Sequence, residues 1–279
     1  MHWPLPILAV FAGVAILACH DVAATAPEGS TVFDAPAVYA KWWQDVESCS
    51  GESGNLASVT WFMAPQGVPL MMKGQPVEAY WESHGDFIVL SDGTKYAGAL
   101  VRHEMLHAMT RSARHARAFY LEKCGGVVSC GPSCVADAEP IVVPPMTPSV
   151  PPDSIDVWST IEPSAPTSDI DSGFFTVTVW ARNHSLHPVV VKLPPSGDPS
   201  PSLTFGYHIG GAAPIDRIDR AFDASSYYFL PGETKKRVFD LLVKGSAIEM
   251  KDVIAPGVYL VNGVYGLHSS ANVLVAVGR

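Results

Sequence analysis

The chain has 279 residues, a formal net charge of −9 and a pI near 5.5, with 48% of its residues apolar and 16% charged. That balance belongs to a folded chain and argues against disorder. No basic run appears anywhere, so nucleic acid is excluded as an expected partner.

The N-terminus reads MHWPLPILAVFAGVAILACH. Its apolar run from Leu5 to Ala18 is too short to span a bilayer and has the length of a signal-peptide core, so residues 1–18 are expected to be a signal peptide. Ile16-Leu17-Ala18-Cys19 resembles the lipobox of bacterial lipoproteins. That resemblance implies cleavage before Cys19, lipid attachment to its thiol and a tether over residues 19–30. The protein would then sit on the extracytoplasmic side of a bacterial membrane, anchored by lipid. Ala24-Thr25-Ala26 offers the alternative of ordinary signal cleavage and secretion.

Setting Cys19 aside leaves Cys49, Cys124, Cys130 and Cys134, an even number that suits two disulfides in an oxidising compartment. Three pairings are possible and the sequence does not choose among them. A second zinc site built from the same cysteines would lack the paired C-x2-C knuckles of common zinc ribbons.

Residues 31–138 form the first expected domain. A helix is expected over residues 36–47, where Tyr39, Trp42, Trp43 and Val46 recur at helical spacing as core. Three short strands follow: ASVTWFMAP, with Val59, Trp61 and Met63 alternating, then PVEAYWE and DFIVLS, with Ile88 and Leu90 on one face. The next segment, AGALVRHEMLHAMTRSARH, contains His103-Glu104-Met105-Leu106-His107, an H-E-x-x-H pattern. Residues four apart share a helix face, so His103 and His107 can direct their imidazoles at one Zn²⁺ ion. Glu104 stands beside the first ligand, where it can act as general base on a metal-activated water. Residues 96–109 contain no Pro and a single Gly, consistent with a helix. Arg102 and Arg111 are expected to be solvated helix charges.

A catalytic zinc takes three protein ligands and keeps one position open. The metzincin pattern would place Gly at Thr110 and His at Ala113, so it is excluded. A glutamate ligand from a later helix would have to be Glu122, or Glu139 beyond it. The stretch HEMLHAMTRSARHARAFYLEKCG resembles SprT-like and related minimal zincins, through His115, Phe119 and Cys124. That resemblance implies a helix ending near Arg111, a turn at Ser112-Ala113 and His115 returning as third ligand. An unbroken helix to Arg117 would carry His115 about 12 Å along the axis from His107, out of reach. His115 is the expected ligand, with Glu122 the alternative. In such folds an edge strand beside the metal can hold a peptide substrate, and the sequence does not say which strand that is.

Residues 139–153, containing EPIVVPPMTPSVPP, are expected to be a proline-rich linker. Beyond it, residues 154–279 carry short β-rich runs punctuated by turn residues, including FFTVTVWARN, SLTFGYHIG, KKRVFDLLV and ANVLVAV. FLPGETKKRVFD followed by APGVYLVNGVYG resembles the immunoglobulin-like, proteinase-inhibitor-type sandwiches of extracellular bacterial proteins. His184, His187, His208 and His268 show no ligand spacing and are expected to be surface or loop residues.

The expected fold class is therefore α+β: a minimal zincin domain followed by an all-β immunoglobulin-like sandwich. The expected activity is hydrolysis of a peptide or protein substrate. The rival expectation is a surface-anchored binding or structural lipoprotein with a non-catalytic zinc site. Proteinase inhibition by the C-terminal module ranks after both.

Overall fold

The structure is a computed structural model that describes residues 25–137, 154–163, 173–190, 203–210, 215–220, 228–243, 253–254, 257–265 and 268–277. The expected signal peptide (1–18), Cys19, tether residues 19–24 and the 139–153 linker lie outside the described residues.

In chain order the N-terminal half contains β1 (Thr31–Val32), α1 (Val38–Ser50), β2 (Thr60–Met63), β3 (Leu70–Met72), β4 (Gln75–Val77), β5 (Ala79–Glu82), β6 (Phe87–Leu90), α2 (Gly98–Thr110), a π-helix over Ala118–Lys123 and α3 (Pro132–Asp137). Helix α1 begins two residues and ends three residues later than expected. Its stripe of Tyr39, Trp42, Trp43 and Val46 is buried, as the helical spacing requires. Gly51 stops it in the left-handed region at φ 77°, donating its N–H to the Glu47 carbonyl.

The three expected strands are present as β2, β5 and β6, in a sheet of order β1-β2-β6-β5. Strands β2 and β6 run parallel, while β1 and β5 are antiparallel edges. Strand β6 is central, and all four of its residues are buried. Ile88 and Leu90 face α1 and α2, whereas Phe87 and Val89 join Ala64 and Leu70 in a smaller cluster on the other side. The second buried face arises because the β3–β4 hairpin covers it. Segments as short as β1, β3 and β4 carry too few residues to show a period in sequence.

The C-terminal half is built from β7 (Ile155–Pro163), β8 (Gly173–Asn183), β9 (Val189–Val190), β10 (Leu203–Gly210), β11 (Ile215–Arg220), β12 (Tyr228–Phe229), β13 (Thr234–Val243), β14 (Val253–Ile254), β15 (Gly257–Tyr265), β16 (His268–Ser269) and β17 (Val273–Val277). One sheet has the order β14-β13-β8-β7; the other joins β11, β10, β15 and β16, with β17 also on β15. The short strands β9 and β12 pair separately. Strand β15 lies against β7 and β8, so the two larger sheets face one another. Helices in the first half and sheets in both make the chain α+β.

The two halves share a core. Val238 of β13 belongs to the same buried cluster as Trp42, Val101 and Met105. Two disulfides complete the frame: Cys49–Cys124 fastens the end of α1 to the end of the π-helix, and Cys130–Cys134 closes the turn into α3.

Candidate metal centre

Helix α2 places the first two histidines. His103 and His107 are one turn apart on one face, and their Nε2 atoms lie 3.1 Å from each other. The third comes from the chain reversal that follows. Helix α2 ends at Thr110, and Arg111 adopts φ 51°, donating its N–H to the His107 carbonyl. This break occurs without a glycine. Thr110 Oγ1 donates back to the Leu106 carbonyl, and the Arg111 guanidinium is held 2.8 Å from Asp86. The chain then returns, and His115, lying in the loop before the π-helix, brings its Nε2 to 3.1 Å from that of His103. The possible ligand atoms of all three histidines lie within 4.8 Å of one another.

The opposite ring nitrogens identify the tautomers. His103 Nδ1 lies 2.5 Å from the Ser129 carbonyl, His107 Nδ1 2.7 Å from the Ser112 carbonyl and His115 Nδ1 3.1 Å from an Asp137 carboxylate oxygen. Carbonyl and carboxylate oxygens only accept, so each Nδ1 carries the proton and each Nε2 presents a lone pair. Converging lone pairs at 3.1 Å repel unless a cation lies among them. The donor set, three imidazoles each oriented by an acceptor on its far side, therefore fits a metal ion.

Electrostatics point the same way. Burial, reinforced by the neighbouring imidazoles His107 and His115, pushes the pKa of His103 down to about 3. Burial also pushes His107 down to about 4. Both rings are thus kept neutral and able to ligate. Glu104 is 4% exposed, and burial raises its pKa to about 8, opposed by a hydrogen bond from the Trp81 main chain. Trp81 also lays its indole parallel to the His107 ring, with centroids 6.4 Å apart.

Tyr120, from the π-helix, completes the site. Its ring centroid is 4.9 Å from that of His103 and 5.0 Å from those of His107 and His115. The side chain is 1% exposed, and its hydroxyl has no hydrogen-bond partner among the described residues. Burial first, and the nearby Glu104 second, raise its pKa far above the ordinary phenol value.

The histidine readings at 103, 107 and 115 thus come together, with Glu104 beside them. Glu122 does not join them: it is half exposed and faces Arg117. Glu139 lies outside the described residues. His184 and His187 are exposed, whereas the side chains of His208 and His268 lie outside those described. Arg102 is not the solvated charge expected from sequence. Its side chain is fully buried, its Nε donates to the Val127 carbonyl, and it forms an ion pair with Asp240 of β13. Arg111 is exposed, as expected, although paired with Asp86. Sequence reasoning missed Trp81, Tyr120, Ser129 and Asp137. Two of them contribute main-chain atoms, which no side-chain pattern announces.

No protein-family model matches the sequence, and no curated protein matches it. Among solved structures, the structural-genomics target SoR45 is similar over 46% of this chain and 88% of its own, at 11% identity and a TM-score of 0.28. A Bordetella pertussis protein described as a putative ApaA is similar over 46% of this chain and 99% of its own, at 17% identity and a TM-score of 0.28. Likenesses of that size assign neither fold nor function.

Proposed function

We propose that this protein is an exported zinc-dependent peptidase, with a minimal zincin-like N-terminal half and an immunoglobulin-like C-terminal sandwich. The observation that carries the reading is the convergence of three Nε2 lone pairs next to a buried carboxyl that lies outside the three-histidine cluster. A purely structural zinc site closes with four ligands and has no use for that carboxyl. When bound, zinc would supply Lewis acidity, lowering the pKa of a water and polarising a peptide carbonyl.

The residues of the chain supply the rest. The positive charge of a bound zinc would favour the ionised form of Glu104, which would then take a proton from the attacking water and return it to the leaving amine. The hydrogen bond from the Trp81 main chain holds its carboxyl in place. Tyr120 remains protonated because of its burial and offers a hydroxyl to the charge that develops on the substrate oxygen. Strand β5 is the sheet edge that carries Trp81, and its main chain is suited to bind an extended peptide by strand addition. The two disulfides support export, and a lipid on Cys19 would hold the enzyme at the membrane surface.

The test uses purified full-length protein and a peptide-library digest. Wild type is expected to carry about one zinc per chain and to cleave. Glu104→Gln should retain the zinc and lose hydrolysis. Equal cleavage by that variant would overturn the mechanism. Zinc bound with no cleavage by wild type would favour the rival reading, a surface-anchored structural or binding lipoprotein.

A further inference from the structure

Residues 124–130 form a strap between the two disulfides, ending at Cys124 on one side and Cys130 on the other. Five consecutive carbonyls of this strap each accept a hydrogen bond from outside it. Gly125 and Val128 accept from Arg237 at 2.5 and 3.0 Å, and Gly126 accepts from the main-chain N–H of Val238 at 2.8 Å. Val127 accepts from Arg102 at 2.7 Å, and Ser129 accepts from His103. Ser129 also donates its own N–H to the Ala99 carbonyl. The strap is therefore gripped on one side by β13 of the C-terminal half and on the other by α2, including a candidate metal ligand.

A second connection runs in parallel. Asp240, on the same strand, is 2% exposed and forms its ion pair with the fully buried Arg102, the residue immediately before His103. Thr176 Oγ1 donates to the other Asp240 oxygen at 2.9 Å, which fixes the carboxylate from behind. Close approach of the backbones is built in. A Cβ at Gly126 would collide with the Lys236 carbonyl, and one at Gly98 would collide with the Asp240 carboxylate.

The geometry points to Arg237 and Asp240 as positioning residues of the metal centre, contributed by the C-terminal half. Arg237 sets the strap, and the strap's Ser129 carbonyl sets the ring of His103. Asp240 holds Arg102 and, through it, the part of α2 that carries His103. The Ser129 carbonyl is one step removed from a ligand, where partners govern affinity by fixing ring orientation and tautomer, and Arg237 and Asp240 act one step further out by fixing the strap and the helix. The β-rich half is accordingly part of the metal site and not an appended module. The inference rests on metal binding by the three histidines, and it is independent of whether the protein cleaves peptides.

The experiment measures zinc affinity of the full chain by competition with a chromophoric chelator, together with the visible absorption spectrum of the cobalt-substituted protein. Arg237→Met and Asp240→Asn are expected to weaken zinc binding about tenfold or more and to alter the cobalt spectrum. Arg237→Lys, which keeps a charged donor, should recover part of the loss. It also serves where Arg237→Met fails to fold. Val261→Ala, a cavity in the buried interior of β15 away from the strap, supplies the comparison for a merely structural effect. It should lower the melting temperature while leaving zinc affinity and the cobalt spectrum unchanged. Wild-type affinity and spectrum in folded Arg237→Met, Arg237→Lys and Asp240→Asn would overturn the inference. Absence of zinc binding by wild type would overturn the metal reading itself and this inference with it.

Discussion

Asp137 and His115 meet across a turn closed by a disulfide: the carboxylate oxygen lies 3.1 Å from Nδ1 of the ring, and Cys130–Cys134 fastens the helix from which Asp137 projects. Of the three ring partners this is the one with a charge, and it is the only one a substitution can remove without touching the main chain. Asp137→Ala is expected to weaken zinc binding by about ten- to a hundredfold, with Asp137→Asn less affected because the amide oxygen still accepts. Because Asp137 is exposed, the melting temperature of the metal-free protein should hardly move. Isothermal titration with zinc measures the first effect and a thermal melt the second.

Tyr120 makes a separate prediction. Removing only its hydroxyl, by Tyr120→Phe, leaves the ring packed among the three histidines. Zinc content should be unchanged, while kcat falls by about ten- to a thousandfold with KM little altered. A parallel loss of zinc would assign the tyrosine to metal retention instead.

The pH dependence of the metal-free protein follows from three buried groups. His103 and His107 stay neutral in the fold down to about 3 and about 4, against an ordinary value of 6.5. Between those values and 6.5 the unfolded chain binds more protons, so stability rises with pH. Glu104 acts in the opposite sense. It stays protonated in the fold up to about 8 against an ordinary 4.5, so its contribution declines as pH rises across that interval. Two imidazoles outweigh one carboxyl below 6.5, and above it only Glu104 of these three still titrates. Thermal melts of chelator-stripped protein should therefore peak near pH 6.5 and fall on either side. A melting temperature flat from pH 5 to pH 8 would contradict the burial of these groups.

The long-range disulfide has a calculable effect. Cys49 and Cys124 are 75 residues apart, and closing a loop of that length removes unfolded-chain entropy worth on the order of 4 kcal/mol. The double variant Cys49→Ser/Cys124→Ser should lose about that much in chemical denaturation. The short Cys130–Cys134 loop should contribute less to global stability and more to zinc retention, because it anchors the turn that carries Asp137.

What the sequence by itself determined was local. Helical spacing determined the buried stripe of α1 and the shared face of His103 and His107, since a period of 3.6 is written in consecutive side chains. The cysteine count implied two disulfides but left the pairing open, because pairing depends on which chain ends meet in space. The return of His115 was expected from a resemblance. The helix end near Arg111 was expected from the same resemblance, whereas the Arg111–Asp86 pair beside it joins residues 25 positions apart and has no signature in the sequence. Only the tertiary structure decided that Arg102 is buried and that the carbonyls of residues 125–129 are shared between β13 and α2. Charges and carbonyls have no period of their own. Whether they face water or a partner is set by what the rest of the chain packs against them.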